Sequence, residues 1–254
     1  EGQFARNQEN PIEADVVIVD EVSMVDLLLM RSLLRAIEPG TRLILVGDAD
    51  QLPSVGAGNV LGDVLESGVI PKCMLTDIFR QGETSRIVVN AHRINHGEMP
   101  LLNEKGTDFF FQRKMLFSEA ASTIVSLVTQ RLPKFLGYAE EDYIRQAVRN
   151  IQVLAPAKKG ECGVWMLNQL LQEQFNPSAP HKNERVRGDV TFREGDKVMQ
   201  TRNNYQLEWK KEGVFAWEEG QGVFNGDIGF ISAIDTQERT VEVIFDDERI
   251  ATYE

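Results

Sequence analysis

Residues 16–24 read VVIVDEVSM, and their reading decides the fold. Four β-branched apolar residues run straight into Asp20 and Glu21. A short run of this kind fits a strand buried on both faces, as in a parallel sheet. An acidic pair at the carboxyl end of such a strand stands where open α/β sheets bind their ligands. Nucleotide hydrolases use this layout, one acid helping to hold Mg²⁺ and the other orienting and deprotonating the attacking water. Taken alone, the same residues also fit a strand that ends in a solvated acidic turn.

A second strand is expected at residues 43–46, running into GDADQLP at 47–53. Between the two, Val25, Leu28, Leu29, Leu33, Leu34 and Ile37 recur at helical spacing, and Pro39-Gly40 closes the helix. Strand, helix, strand gives a right-handed crossover between parallel strands. Both polar ends then leave the same edge, so Asp20, Glu21 and Gln51 can face one site. A glutamine there can sense a terminal phosphate or hold the lytic water. The alternative is that Gln51 only caps a turn. Beyond it, a loop at 53–59 with Gly56 and Gly58 leads to a short helix at 60–66, and Pro71 marks an exit.

Helices are expected at 86–95, stopping at Gly97, and at 119–132, 142–148 and 164–175; strands are expected at 108–111 and 151–155. Phe109, Phe110, Phe111 and Trp165 read as core. From about residue 206 the pattern changes to short β-type runs at 214–217, 228–234, 240–245 and 249–253, with turns at 235–238 and 246–248. Strands at this spacing suggest a small barrel. Lys210-Lys211 and Glu218-Glu219 are expected in an exposed, mobile loop.

The 254 residues leave room for more than one domain. Net charge is −12, from 39 acidic against 27 basic residues, which excludes a uniformly basic nucleic-acid surface. A local groove with aromatic stacking remains open, with Lys158, Lys159 and residues 202–205 as its cations and aromatics. No apolar run approaches the ~20 residues that span a bilayer. Cys73 and Cys162 form no C-x-x-C and read as buried thiols in a reducing compartment. His92 and His96 stand four apart without a third ligand, so they read as surface histidines.

Residues 16–24, 45–56 (LVGDADQLPSVG) and 75–81 (LTDIFRQ) are similar to consecutive motifs of superfamily one helicases. They most resemble the RecD-like branch, the exodeoxyribonuclease V alpha subunit family. Residues 4–15, 153–160 (VLAPAKKG) with Gly163 and Leu167-Asn168, 195–205 (GDKVMQTRNNY) and 225–229 (NGDIG) fit the same family in the same order.

The resemblance implies an α/β fold of P-loop NTPase (RecA-like) parallel-sheet domains with a small SH3-like β-barrel insertion. Residues 1–75 would be the C-terminal part of the first motor domain, 76–205 a partial second motor domain, and 206–254 the insertion. It implies ATP and Mg²⁺ as cofactors, with Asp20 holding the metal, Glu21 as catalytic base and Gln51 coupling the γ-phosphate to movement. Arg80 would reach across a cleft to the γ-phosphate, where its planar fork suits phosphate oxygens, with Gln81 as its helper. Single-stranded DNA would run over Pro53, Ser54, Lys158, Lys159, Asn203, Asn204 and Tyr205, with Tyr205 either stacking on a base or serving as core. The implied activity is that of a cytoplasmic ATP-dependent 5′→3′ DNA helicase in recombination and repair. Its partners would be single-stranded and duplex DNA and the other subunits of a helicase–nuclease complex. Two readings share these motifs: the motor part of a conjugative relaxase-helicase, and a non-catalytic nucleic-acid-binding module that keeps the motor fold.

No G-x-x-x-x-G-K-[ST] loop occurs in the chain. In the family that loop precedes the acidic motif, so it is expected before Glu1, with the late motifs after Glu254, and the chain reads as an internal part of a longer helicase. Alone it is expected to bind ATP weakly or not at all. Isothermal titration that finds tight, Mg²⁺-dependent binding by these 254 residues would contradict that expectation.

Overall fold

The computed structural model describes residues 4–75, 85–213 and 216–254. The chain divides into two compact units, Glu1–Gln112 and Arg113–Glu254.

The first unit opens with β1 (Val16–Val19), a 3-10 turn at Val22–Met24, α1 (Leu27–Ala36) and β2 (Arg42–Leu45). α2 (Val60–Ser67) and α3 (Arg86–Asn95) follow. β1 and β2 pair in parallel, with Val16 opposite Arg42 and Val19 opposite Leu45. Asp26 starts α1 by accepting the Leu29 N–H at 2.8 Å, satisfying one of the donors that a helix start leaves over. Met30 and Leu33 of α1 and Val60, Leu61, Val64 and Leu65 of α2 close over Val19 and Leu45.

The expected burial of β1 on both faces is corrected. Val17 and Val19 are half-buried, whereas Val16 and Ile18 are 45% and 65% exposed. Side chains alternate along a strand. α1 and α2 cover one face of the pair, and the other face is the more exposed.

Residues 108–111 form no strand. Asp108 is occupied instead at the start of α3, where its carboxylate accepts the Ser85 hydroxyl at 2.5 Å and the Arg86 N–H at 2.7 Å. A carboxylate is favoured there because the first N–H groups of a helix lack partners and carry partial positive charge. Those hydrogen bonds, the Ser85 hydroxyl foremost, hold the Asp108 carboxyl below its ordinary value. Phe110 and Phe111 are exposed rather than core. The buried polar residue here is Asn90, fully enclosed, whose amide exchanges hydrogen bonds of 2.9 and 2.7 Å with the Leu101 main chain.

The second unit begins with α4 (Phe117–Ser126), α5 (Leu132–Phe135), α6 (Tyr143–Asn150) and α7 (Val164–Phe175). The helix expected at 119–132 is present but widens into a π-type turn at Leu127–Arg131. Pro133, in the first turn of α5, has no N–H to continue the regular ladder. The strand expected at 151–155 is absent. No strand among the described residues pairs with it, and Leu154 is 88% exposed. Trp165 is also exposed, under the Lys159 ammonium at 5.7 Å from its ring centre. The expected burial of the two thiols is corrected as well, since Cys73 is exposed and Cys162 only partly buried.

The rest is β structure: β3 (Glu184–Arg187), β4 (Val190–Arg193), β5 (Lys197–Met199), β6 (Asn204–Glu212), β7 (Trp217–Val223), β8 (Ile228–Asp235), β9 (Thr240–Phe245) and β10 (Ile250–Tyr253). β3 and β4 form a hairpin, and the others form one antiparallel sheet in the order β5-β8-β9-β10-β6-β7. Val223, Ile231, Ile234, Val243, Phe245 and Ala251 make its core. The expected mobile loop at 210–219 is corrected. Lys210 and Lys211 lie on β6 opposite Glu219 and Glu218 of β7, and opposite charges facing across a ladder favour the pairing. Of the run expected at 214–217, Trp217 opens β7, and residues 214–215 lie outside the described residues.

A polar seam joins the end of α7 to this module. Asn176, nearly buried, donates to the Glu194 carbonyl at 3.0 Å and to the Asp196 carboxylate at 2.7 Å, and Gln172 donates to Asp196 at 2.6 Å. Main-chain N–H groups of Ile234 and Asn183 donate to the Glu194 carboxylate and hold its pKa below the ordinary glutamate value of 4.5. A lowered folded-state value means stability present above the unfolded value and lost as pH falls through the folded one. Acid titration of unfolding should therefore show stability falling below about pH 4.5, and Glu194→Gln should flatten that fall while lowering stability at neutral pH. An unchanged acid limb in the variant would contradict the assignment.

Candidate active site

Parallel pairing puts the carboxyl ends of β1 and β2 on one edge. Asp20 leaves β1, and Glu21 follows at φ 54°, ψ 40°, in the left-handed region that non-glycine residues rarely occupy. Three hydrogen bonds hold it there. Glu21 donates its N–H to Asp20 Oδ1 at 2.9 Å, Met24 donates to the Glu21 carbonyl at 3.0 Å, and Val22 donates to the Val46 carbonyl at 3.0 Å. The Val22 side chain is completely buried beneath the turn.

Gly47, the second residue after β2, packs against this turn. A Cβ at that position would lie 3.1 Å from the Val22 nitrogen, 3.2 Å from the Ser23 nitrogen and 3.0 Å from Leu61 Cδ2. The chain then turns at Asp48, whose carboxylate accepts the Asp50 N–H at 2.9 Å and whose carbonyl accepts the Gln51 N–H at 3.3 Å. Gln51 is thereby brought beside the acid turn, and a cavity of about 90 Å³ between them is lined by Ser23, Asp48, Gln51 and Asn59. Ser54 donates to the Gly56 and Gly58 carbonyls, both at 3.2 Å, so its hydroxyl shapes its own loop. A Cβ on Gly56 would fall 2.0 Å from Asp26 Oδ2, so only glycine lets this loop dock on the start of α1.

Asp20, Glu21, Gln51, Pro53 and Ser54 thus belong to one unit, with the two acids and Gln51 at the same sheet edge. Arg80 and Gln81 lie outside the described residues. Lys158, Lys159, Asn203, Asn204 and Tyr205 belong to the second unit. The lysine pair sits in a loop closed onto α7 by bonds from Val164 to the Ala157 carbonyl (3.0 Å) and from Trp165 to the Lys158 carbonyl (3.1 Å). Tyr205 is 67% exposed, so it is no core residue. Its hydroxyl accepts from the Asn203 amide at 3.2 Å, and its ring meets Phe224 edge-on at 5.6 Å. Phe224, Ser23 and Asn59 were not singled out by the sequence patterns; the only advance signal for Ser23 was its place two residues after the acid pair.

Among the described residues no group of three or more His, Cys, Asp or Glu could hold a metal. Mg²⁺ does not require one, because it takes one or two carboxylates and completes its shell with waters and substrate phosphates. The adjacent Asp20 and Glu21 carboxylates suit that mode and do not suit an all-protein cage. No helix among the described residues is long and apolar enough to cross a membrane.

Residues 167–245 match the family described as the ATP-dependent RecD-like DNA helicase SH3 domain, and residues 4–113 match the AAA domain family. The chain is RecD-like. It is 33% identical over 239 residues to the ATP-dependent RecD2 DNA helicase of Deinococcus radiodurans, covering 94% of this chain and 28% of that protein. It is 53% identical over 64 residues to the RecBCD enzyme subunit RecD of Mycobacterium tuberculosis, covering 25% of this chain and 11% of that one. The chain therefore spans less than a third of the length of either relative. A solved structure of Bacteroides Pif1 bound to ssDNA aligns over 100% of this chain and 56% of that chain at 14% identity, with a TM-score of 0.43, too distant a likeness to carry weight.

In this RecD-like chain the AAA match takes in the acid turn and Gln51, and the SH3 match takes in strands β3 to β9. The close approach at Gly47 yields a direct test. Gly47→Ala should destabilise the chain by about 1–3 kcal/mol, because two of the three atoms its methyl meets are main-chain nitrogens that cannot swing aside. Urea denaturation measures this, and a variant as stable as the parent would show that the turn does not rest on β2's end.

Proposed function

We propose that this chain is the central part of an ATP-dependent 5′→3′ DNA helicase that couples ATP hydrolysis to movement along single-stranded DNA and to duplex unwinding. The observation that carries the reading is the acid turn at the carboxyl end of β1, with the Gln51 loop beside it on the same sheet edge. The polarity, the role in recombination or repair, the cytoplasmic location and a place beside other subunits of a helicase–nuclease complex rest on the RecD-like resemblance. So do the domain limits, with motor domains at 1–75 and 76–205 and the SH3-like insertion at 206–254.

In this reading Asp20, one of whose oxygens is engaged by the Glu21 N–H, would hold a hydrated Mg²⁺. Bound Mg²⁺ would neutralise charge on the phosphates of ATP. Glu21 holds the attacking water and takes its proton. Gln51 registers the γ-phosphate, and Arg80 supplies a fixed positive charge with paired donors to the same phosphate, with Gln81 beside it. Loss of that phosphate contact relaxes both walls of the pocket and drives the stepping. By the resemblance, DNA contact is assigned to Pro53 and Ser54 in the first unit and, separately, to Lys158, Lys159, Asn203, Asn204 and Tyr205 in the second. The exposed Tyr205 ring supplies a stacking surface that any base can use. Within this chain, whose net charge is −12, DNA contact falls to such local groups, and segments outside it can add basic residues.

Two substitutions in the full-length protein test the assignment. Glu21→Gln should keep ATP binding and lose DNA-stimulated hydrolysis by about 100-fold or more. Arg80→Ala should keep DNA binding and lose turnover by about 10³-fold. Wild-type hydrolysis in the first variant would remove the base assignment, and wild-type turnover in the second would return Arg80 to a structural role.

A further inference from the structure

Ser23 stands two residues after Glu21 and is 9% exposed. Its Oγ is enclosed, yet among the described residues it has no hydrogen-bond partner. Such a group loses its hydration without compensation, and native proteins keep one only with a reason, commonly an ordered water. A space large enough for that water adjoins the residue. The cavity of about 90 Å³ that Ser23 lines exceeds the ~10–15 Å³ a single water needs. Its other polar walls are Gln51, Asn59 and Asp48, and Leu61 closes its apolar side.

The position of this cavity gives it a consequence. The main chain of the acid turn is tied to β2 through Val22 and Val46 and packs on Gly47. Ser23 is the residue of the turn that lines the space beside Gln51. We propose that Ser23 is a positioning residue for hydrolysis, its hydroxyl sharing an ordered water with Gln51 and so tying the loop that registers the phosphate to the turn that carries the base. This rests on the helicase reading of Glu21 and Gln51. Ser23 itself touches no nucleotide in this scheme, so its loss acts on turnover rather than on ATP affinity.

The test uses the full-length protein and its DNA-stimulated ATP hydrolysis. Ser23→Ala should lower kcat about tenfold, the equivalent of one hydrogen bond, and leave KM for ATP within about twofold. Ser23→Thr, which keeps the hydroxyl, should restore kcat. In a Gln51→Ala background Ser23→Ala should add no further loss, because the shared link is already gone. Wild-type kcat in Ser23→Ala, equal defects in the Ala and Thr variants, or full additivity with Gln51→Ala would each overturn the proposal. Glu21→Gln run in the same assay separates the two levels. If it is inactive while Ser23→Ala is normal, only the Ser23 inference fails; if it is fully active, the base assignment fails. A high-resolution crystal structure of the unmodified full-length protein gives a readout that does not depend on how the variants fold. A water within hydrogen-bond distance of both Ser23 Oγ and the Gln51 side chain supports the link, and a dry cavity overturns it.

Discussion

The hydrogen bond from the Val22 N–H to the Val46 carbonyl, at 3.0 Å, fastens the acid turn to the end of the neighbouring strand. Glu21 is held in a left-handed conformation that costs an ordinary residue of order 1 kcal/mol or more. The cost is met by surroundings that leave the turn no easier shape. Val22 is driven into the core below it, Asp20 takes the Glu21 N–H, and Gly47 lets the second strand's exit loop press directly against the Val22 and Ser23 nitrogens. Backbone strain of this kind persists where it aims a side chain, and here it sets an acid at the rim of a parallel sheet. The Gln51 loop takes its place from the same contacts, since Gly47 is both the seat of the turn and the first residue of that loop.

Much of this was legible in the sequence, for physical reasons that differ from element to element. β1 was plain because four β-branched residues end abruptly at two acids. α3 and α7 were plain because their apolar spacing is regular and polar or glycine residues bound them. The pairing of both strand ends with Gln51 followed from topology alone. The left-handed Glu21 was not legible, because no composition signal marks a non-glycine residue in that region. Nor was the cavity between Ser23 and Gln51, which is made by packing among residues far apart in the chain.

The misread segments share a cause. Residues 108–111 and 151–155 have strand-like composition, yet a strand exists only where a partner pairs with it. Asp108 is claimed by the start of α3, and Leu154 stands largely exposed outside every described sheet. The doublets Lys210-Lys211 and Glu218-Glu219 looked like a solvated loop because each is charged. Their complementarity appears only when β6 and β7 lie side by side. Tyr205 was undecided between core and surface, and its 67% exposure beside Phe224 settles it as surface.

In the proposed motor, the acids of the turn and a guanidinium from further along the chain act on one terminal phosphate. The most direct measurement is a structure of the full-length protein with Mg²⁺ and a non-hydrolysable ATP analogue bound. The expected structure has Asp20 at the Mg²⁺ shell, Glu21 at water-bridging distance from the γ-phosphate, and Arg80 donating to that same phosphate. Carboxylates at positions 20 and 21 turned away from the bound nucleotide, or Arg80 engaged elsewhere while the nucleotide is held, would contradict it.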